Sequence, residues 1–331
     1  MKILAGMVTY NRCGVVRTAI EALLNQTSRP DDIVIIDNMS PDSTGAIVAG
    51  YASRNVHYYR TRANLGGAGG FALLMEIFLA GDWDMLLLCD DDGVAHPDML
   101  AELLKATDRL DIINALAVAS GNEDLLAFDF MPKWPLVRLP SRLSSVADVA
   151  SYAKGDIAHR IAGPFNGTLI KRSVLKAVGS VNPRMFIWGD EMDFIIRAYS
   201  QGVRIGTVLA ARVHHPRCVT TTRRVPFVGG VHIPARPRAL ISWRNAGVLD
   251  RRIGKKLRGF VWAIRTTIVL LLAREPALAF KMLPYYADGY FNFFWLPPNG
   301  RKQMTAFHAD RSTAIALLVP RAGADNIKLA A

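Results

Sequence analysis

The sequence predicts an α/β protein built on a mainly parallel, doubly wound sheet, and three observations carry that expectation. Strand-like and helix-like segments alternate through the first third of the chain. Several strand segments are short apolar runs, of the kind found where a sheet is covered on both faces. Polar residues collect where those runs end: Thr9, Asp37 and the cluster Asp90, Asp91, Asp92. In open α/β sheets ligands bind at the carboxyl ends of the strands, so the polar residues stand where a site is expected.

Taken in order, KILAGMVTY reads as the first strand and VVRTAIEALLNQT has helical periodicity. DIVIIDN is a buried strand, and Ser40-Pro41-Asp42-Ser43 turns the chain into the helical TGAIVAGYAS. VHYYRT is a third strand, NLGGAGGF a loop, ALLMEIFLAG a helix and MLLLCD a fourth strand. HPDMLAELLKATDRL follows as a helix with Pro97 in its first turn. From about 120 to 160 the signal is weak, and Pro132, Pro135 and Pro140 suggest an irregular or mobile stretch. The pattern returns with AGPFNGTLIKRSVLKAVG, then WGDEMDFIIRAYSQG as an amphipathic helix, then RIGTVLAARV as a strand running into His214-His215-Pro216.

Bulk properties narrow the possibilities. A chain of 331 residues, 51% hydrophobic and 21% charged, has material for one large domain plus an extension, or for two domains, and excludes global disorder. Three scattered cysteines, Cys13, Cys89 and Cys218, suggest a reducing compartment without a disulfide framework or structural zinc. The N-terminal apolar run is too short for a signal peptide. The longest apolar run, Thr266 to Ala273, falls short of a membrane span, so no transmembrane helix is expected.

The net charge is +12, yet between Arg212 and Arg274 fourteen Lys or Arg face one acid, Asp250. Such one-sided charge points to an anionic surface or substrate. Nucleic acid is not expected, because the segment lacks a helix-turn-helix, zinc-finger or RNA-binding signature. RRIGKKLRGFVWAIRTTIVLLLAR joins a basic start to a helix-length apolar stretch, which suits a helix lying at an anionic membrane surface as well as a core helix with a solvated entry.

Three adjacent aspartates are a poor stability device, since they repel and only one can cap a helix. Asp90 and Asp92 offer oxygen ligands suited to Mg²⁺ or Mn²⁺, and such an ion commonly carries a phosphate. Glycines in NLGGAGGF, Gly67 among them, allow close backbone approach to a ligand, although the spacing is not that of a dinucleotide fingerprint. Asp190, Glu191 and Asp193 fall within one helical turn after Trp188. They read either as acids favoured at a helix N-terminus or as a general base beside an indole platform for a sugar. His215 is either satisfied locally or a third metal ligand.

Together TYNR, RANLGGAGGFALLM, DDDG, FNGTLI, FIWGDEMDF and the later His-Pro resemble inverting family 2 glycosyltransferases of the GT-A fold. The motifs are more closely similar to galactofuranosyltransferases that begin galactan assembly in mycobacterial-type cell walls. The resemblance covers roughly residues 3 to 250. It implies that Thr9 and Asp37 contact the uridine, that Asn64 in the glycine segment helps hold the nucleotide, and that Asp91 lies near the ribose or sugar. It implies a metal held by Asp90, Asp92 and His215, a catalytic base at Glu191 with Asp190 as rival, and Trp188 beside the acceptor. Asp193 matches a further acidic position of the motif.

The chain is thus expected to hold a glycosyltransferase domain over 1–250, with a nucleotide-sugar half (1–120) and an acceptor/base half (155–250). A basic helical extension follows over 251–331. The implied reaction moves galactofuranose from UDP-galactofuranose to a rhamnose-containing acceptor on a polyprenyl diphosphate. The implied place is the cytoplasmic face of the plasma membrane, peripherally bound. A dTDP-rhamnose transferase, a non-catalytic nucleotide-sugar-binding module and an NAD-dependent oxidoreductase are the competing readings. The last lacks its fingerprint, and a dead relative would be expected to have lost at least one of the acidic trio, Glu191 and His215.

Overall fold

The first half of the sheet consists of β1 (Ile3–Thr9), β2 (Asp32–Asp37), β3 (Val56–Arg60) and β4 (Met85–Asp90), all parallel in spatial order β3-β2-β1-β4. Helices α1 (Val16–Leu24), α2 (Thr44–Ala49) and α3 (Gly66–Ala80) make the crossovers. This computed structural model describes residues 1–131, 136–217, 221–225, 229–233, 236–298 and 300–319, the side chains at 221–237, 256, 300 and 301 excepted. Pro132, Pro135, Cys218 and the tail after 319 lie outside the described residues.

Strand alternation explains why the runs read as continuously apolar. Leu4, Val8, Leu86 and Leu88 face one core with α3, while Ile3, Ala5, Met7, Leu87 and Cys89 face a second core with α1. Both faces are covered, so neither needs polar residues.

The chain continues through β5 (Val94–Ala95), α4 (Met99–Leu104), β6 (Ile112–Ala119), β7 (Asn122–Phe130), β8 (Leu143–Ser145), α5 (Val146–Tyr152), β9 (Ile157–His159), β10 (Thr168–Lys171) and α6 (Arg172–Val178). Next come α7 (Asp190–Ser200), β11 (Ile205–His215), and a separate hairpin of β12 (Thr221–Val225) and β13 (Gly229–Ile233). Four helices follow: α8 (Arg236–Arg252), α9 (Lys256–Leu272), α10 (Pro276–Tyr290) and α11 (Gly300–Leu318). Strand β10 runs antiparallel between β4 and β6, and β6 is parallel to β11, extending the sheet as a mixed second half.

Two local expectations are corrected. The segment 120–160 is not an irregular stretch throughout: β6 and β7 pair as a hairpin, β8 pairs with β7, and a Ser145/Asp148 capping box starts α5. Its cross-strand partners are remote in sequence or separated by a tight turn, so short-range periodicity was a weak signal. The glycine-rich segment is not a loop either, since four of its glycines form the start of α3. A Cβ on Gly70 would sit 2.5 Å from Val8, and one on Gly66, at φ +71, would sit 2.1 Å from the Phe186 carbonyl oxygen. The glycines let α3 lie directly on β1 and on the loop before α7.

Helices α8, α9 and α10 pack together around Trp243, Leu270, Met282 and Tyr286. Gly247 and Gly289 permit the α8–α10 contact, because a Cβ on either would strike the opposing backbone. Helix α11 returns to the sheet, burying Phe307, Ala314 and Leu318 with α3, and Tyr59 donates to Asp310 across 3.0 Å. No helix among the described residues is long and apolar enough to cross a membrane.

Candidate active site

The connection from β1 leads to β2 on one side, while β4 lies on the other, so the sheet order reverses between β1 and β4. That reversal opens a crevice at the strand ends. Val8 is in register with Asp90, which places the residues after β1 beside the acidic turn after β4. Arg12, just beyond β1, donates from Nε to Asp91 and from a terminal nitrogen to Asp92, each across 3.2 Å. His215, at the end of β11, enters from the far half of the sheet. Its Nε2 lies 2.9 Å from Asp92 Oδ1 and 3.9 Å from Asp90 Oδ2.

One ligand atom from each of Asp90, Asp92 and His215 can be chosen so that all three lie within 4.8 Å of one another. His215 Nδ1 is 2.6 Å from the Pro216 carbonyl oxygen, an acceptor, so Nδ1 carries a proton and Nε2 is turned toward the carboxylates. Two carboxylate oxygens and an imidazole nitrogen fit a divalent cation such as Mn²⁺ or Mg²⁺.

The charges at this turn explain why a cation fits. Burial, then repulsion from Asp91 and Asp92, push the Asp90 carboxyl up to about 7, although its side chain still reaches the cleft. Burial also raises Asp91, against the opposing pull of Arg12. Burial works against ionised Asp92 too, but the hydrogen bond and charge of His215 outweigh it and hold Asp92 below the usual range. His215 is raised despite its burial, because Asp92 favours the imidazolium.

Across the same cleft of about 480 Å³ stands the start of α7, contributing Asp190 and Glu191. The two carboxylates differ in setting. Asp190 is 3% exposed, and burial followed by the negative charge of Glu191 raises it well above the usual carboxylate range. Glu191 is half-buried and faces the cleft. The pair therefore resolves into a buried carboxyl whose charged form is disfavoured and a more accessible partner suited to base work.

Just before them the backbone is strained. Phe186 and Trp188 adopt φ values of +67 and +64, and Gly189 adopts +87. Left-handed conformations at two aromatic residues cost of order 1–3 kcal/mol each and persist only where surrounding contacts enforce them. Trp188 lines the cleft, and the Arg238 guanidinium lies 5.6 Å from its ring centroid.

Not every residue anticipated from sequence faces this cleft. Gly67 does, with open space where a Cβ would be. Asp37 has no accessible surface, and its oxygens accept the Ser40 N–H at 2.8 Å and the Tyr58 hydroxyl at 2.7 Å. In this structure it shapes the loop after β2. Thr9 is buried at the end of β1, where its carbonyl accepts the Asn38 N–H. Asn64 is exposed and accepts the Gly66 N–H at 2.8 Å, closing the turn into α3. Asp193 lies outside the cleft: fully buried, it pairs with Arg197 at 3.0 Å and Arg252 at 2.9 Å. Its spacing from Glu191 put it on the helix face turned toward α8.

Sequence reasoning missed Arg12, Arg238 and Phe128, whose ring lies 4.6 Å from that of His215. Arg12 was discoverable from its place in TYNR at a strand end. Phe128 and Arg238 carry no local signal.

The match to known proteins agrees with this geometry. Residues 5–143 fit the description "Glycosyl transferase family 2". Galactofuranosyltransferase GlfT1 of Mycolicibacterium smegmatis is 32% identical over 266 residues, which cover 78% of this chain and 86% of the relative. The chain is a family 2 glycosyltransferase. GlfT1 of Mycobacterium tuberculosis is 30% identical over 281 residues, covering 83% of this enzyme and 90% of the relative. Among solved structures, S. aureus TarS 1-349 in complex with UDP matches with TM-score 0.51 and 16% identity, over 96% of this enzyme and 83% of that chain. GalNAc-T7 with UDP, GalNAc and Mn²⁺ matches with TM-score 0.57 and 13% identity, over 88% of this enzyme and 58% of that chain. The glycosyltransferase has the GT-A fold, and its Asp90-Asp91-Asp92 turn has the DXD form.

Proposed function

We propose that this glycosyltransferase moves galactofuranose from UDP-galactofuranose, with inversion, to a rhamnose-containing acceptor on a polyprenyl diphosphate. One observation carries the chemistry: a cation-binding trio, Asp90, Asp92 and His215, shares a single cleft with the accessible carboxylate Glu191. The donor sugar is inferred from likeness to the GlfT1 galactofuranosyltransferases.

Asp90, Asp92 and His215 would hold a Mn²⁺ or Mg²⁺ ion, which when bound supplies positive charge to a leaving nucleoside diphosphate. Glu191 takes the proton of the acceptor hydroxyl as its oxygen bonds to the anomeric carbon. The bond from that carbon to the diphosphate oxygen breaks with its electron pair leaving on UDP. Attack from the side opposite the leaving group inverts the anomeric centre. Arg12 adds a fixed positive charge to the donor side of the cleft, and Trp188 offers an apolar face to a sugar ring. Purified enzyme given UDP-galactofuranose and dTDP-rhamnose in parallel should turn over the first. Turnover of dTDP-rhamnose alone would replace this donor assignment with the rhamnosyl one.

Membrane contact is assigned to α9, α10 and the loop after them. Leu257, Val261, Ile264, Ile268 and Leu271 recur at helical spacing on α9 and stay 43–77% exposed, while Ala263, Val269 and Leu270 face inward. A helix apolar on both sides needs a second apolar partner. Phe293 and Trp295 stack at 4.4 Å in the following loop and are also exposed. Arg251, Lys255 and Arg258 flank this surface and are exposed, which favours an anionic lipid leaflet. Arg252 is excluded as a probe because it pairs with buried Asp193, and the Lys256 side chain lies outside those described. The triple variant Arg251→Glu, Lys255→Glu, Arg258→Glu should sediment with anionic vesicles at least tenfold more weakly than the native protein, at about 1 kcal/mol per charge removed. Unchanged sedimentation would remove the lipid surface from the account.

A further inference from the structure

The strained segment before α7 has its own clamp. Helix α8 places Asn245, 1% exposed, with its side-chain nitrogen 2.9 Å from the Met185 carbonyl oxygen, 2.9 Å from that of Ile187 and 2.7 Å from that of Trp188. Two N–H groups serve three acceptors, so one hydrogen is shared. A rotated amide would turn its oxygen toward three carbonyl oxygens, which fixes the orientation seen. The Asn245 oxygen is itself buried without a partner among the described residues. An amide kept at the expense of an unpaired buried oxygen is held for its donor end.

What the donor end holds leads directly to the chemistry. The three carbonyls belong to the segment in which Phe186 and Trp188 are left-handed and Gly189 turns into Asp190 and Glu191. The Asn245 Cβ would also lie 3.7 Å from a Cβ on Gly189. Its neighbour Arg244, fully buried, donates to the carbonyls of Arg184 and Met185 at 3.3 and 3.4 Å and to that of Pro298 at 3.0 Å. Helix α8 therefore grips the loop at successive carbonyls, whereas the donor side of the cleft is built on β1 and β4.

We propose that Asn245 is a positioning residue for glycosyl transfer: its amide enforces the strained 185–189 segment and so delivers Trp188 and Glu191 to the cleft. This rests on the reading of Glu191 as base. Asn245 itself touches neither the acidic trio nor Arg12, and the held segment meets the donor half at α3, where the Phe186 carbonyl accepts the Ala68 N–H at 3.0 Å, so its loss acts mainly on the acceptor half of the reaction.

The test uses the full-length enzyme with Mn²⁺. Asn245→Ala should lower kcat for transfer roughly 10- to 100-fold, the scale of an ångström-level misplacement of reacting groups. UDP affinity by calorimetry and KM for the donor should stay within about twofold. A purely structural role would instead reduce every readout together with the folded fraction. Gly189→Ala strains the same turn, at φ +87, with the amide intact; its Cβ meets neighbours only at van der Waals distances of 3.4 Å or more, and it should give the same split between kcat and donor binding. If Asn245→Ala does not fold, Gly189→Ala decides. A kcat within twofold of native in the folded variants, or equal losses of kcat and UDP affinity, overturns the proposal. Glu191→Gln assayed alongside separates the two ideas: normal transfer there removes the base reading, whereas slow transfer there with native kcat in Asn245→Ala removes only the positioning role.

Discussion

Replacing Asp92 with Ala should abolish metal-dependent UDP binding and lower transfer by roughly three orders of magnitude, the several kcal/mol a Lewis-acid site supplies. Asp92 is the residue on which the donor site converges: it pairs with His215 at 2.9 Å and with Arg12 at 3.2 Å. Its loss would remove one of the three proposed ligands and free His215 from a 2.9 Å contact. Calorimetry of UDP with and without Mn²⁺ checks the binding, and metal-dependent UDP binding that persists in Asp92→Ala would end the ligand assignment. The native protein should also bind Mn²⁺ more weakly as pH falls. Asp90 is raised to about 7, so below that pH an incoming cation must displace its proton. His215, raised as well, must shed one too. Affinity should rise with pH through about 7 and level only once both Asp90 and His215 have lost their protons.

Glu191→Gln should keep UDP and Mn²⁺ binding and cut transfer by roughly 10²-fold or more, the usual range for loss of a general base and about 2.7 kcal/mol of barrier. Asp190→Asn should be much milder. Asp190 is buried where its charged form is disfavoured, and an amide is a close stand-in for a neutral carboxyl. Steady-state transfer by both variants checks the order. If Asp190→Asn is crippling while Glu191→Gln is mild, the two roles must be exchanged.

Much of the donor half was legible along the chain because its parts are local. Apolar runs ending in Thr9 and in Asp90 to Asp92 are strands with their polar residues at one edge, and parallel pairing of β1 with β4 brings those ends together. Asp193 shows the limit of that reasoning. It shares a motif with Glu191, yet helical geometry turns it onto Arg197 and Arg252, outside the residues that line the cleft. Asp37 likewise ends a strand but is closed in by Tyr58 and Ser40.

By itself the sequence determined the parallel first half of the sheet, the identity of the acidic turn and the basic, apolar character of the α9 region, because strand alternation, charge and helical spacing act over a few residues. Only the tertiary structure decided which carboxylate faces the cleft, that His215 meets Asp92, and that Asn245 grips the loop carrying Trp188. The last two contacts join residues 123 and 57 positions apart in the sequence. Pairings at such separations are set by how whole elements pack, since burial and hydrogen bonding depend on neighbours in space.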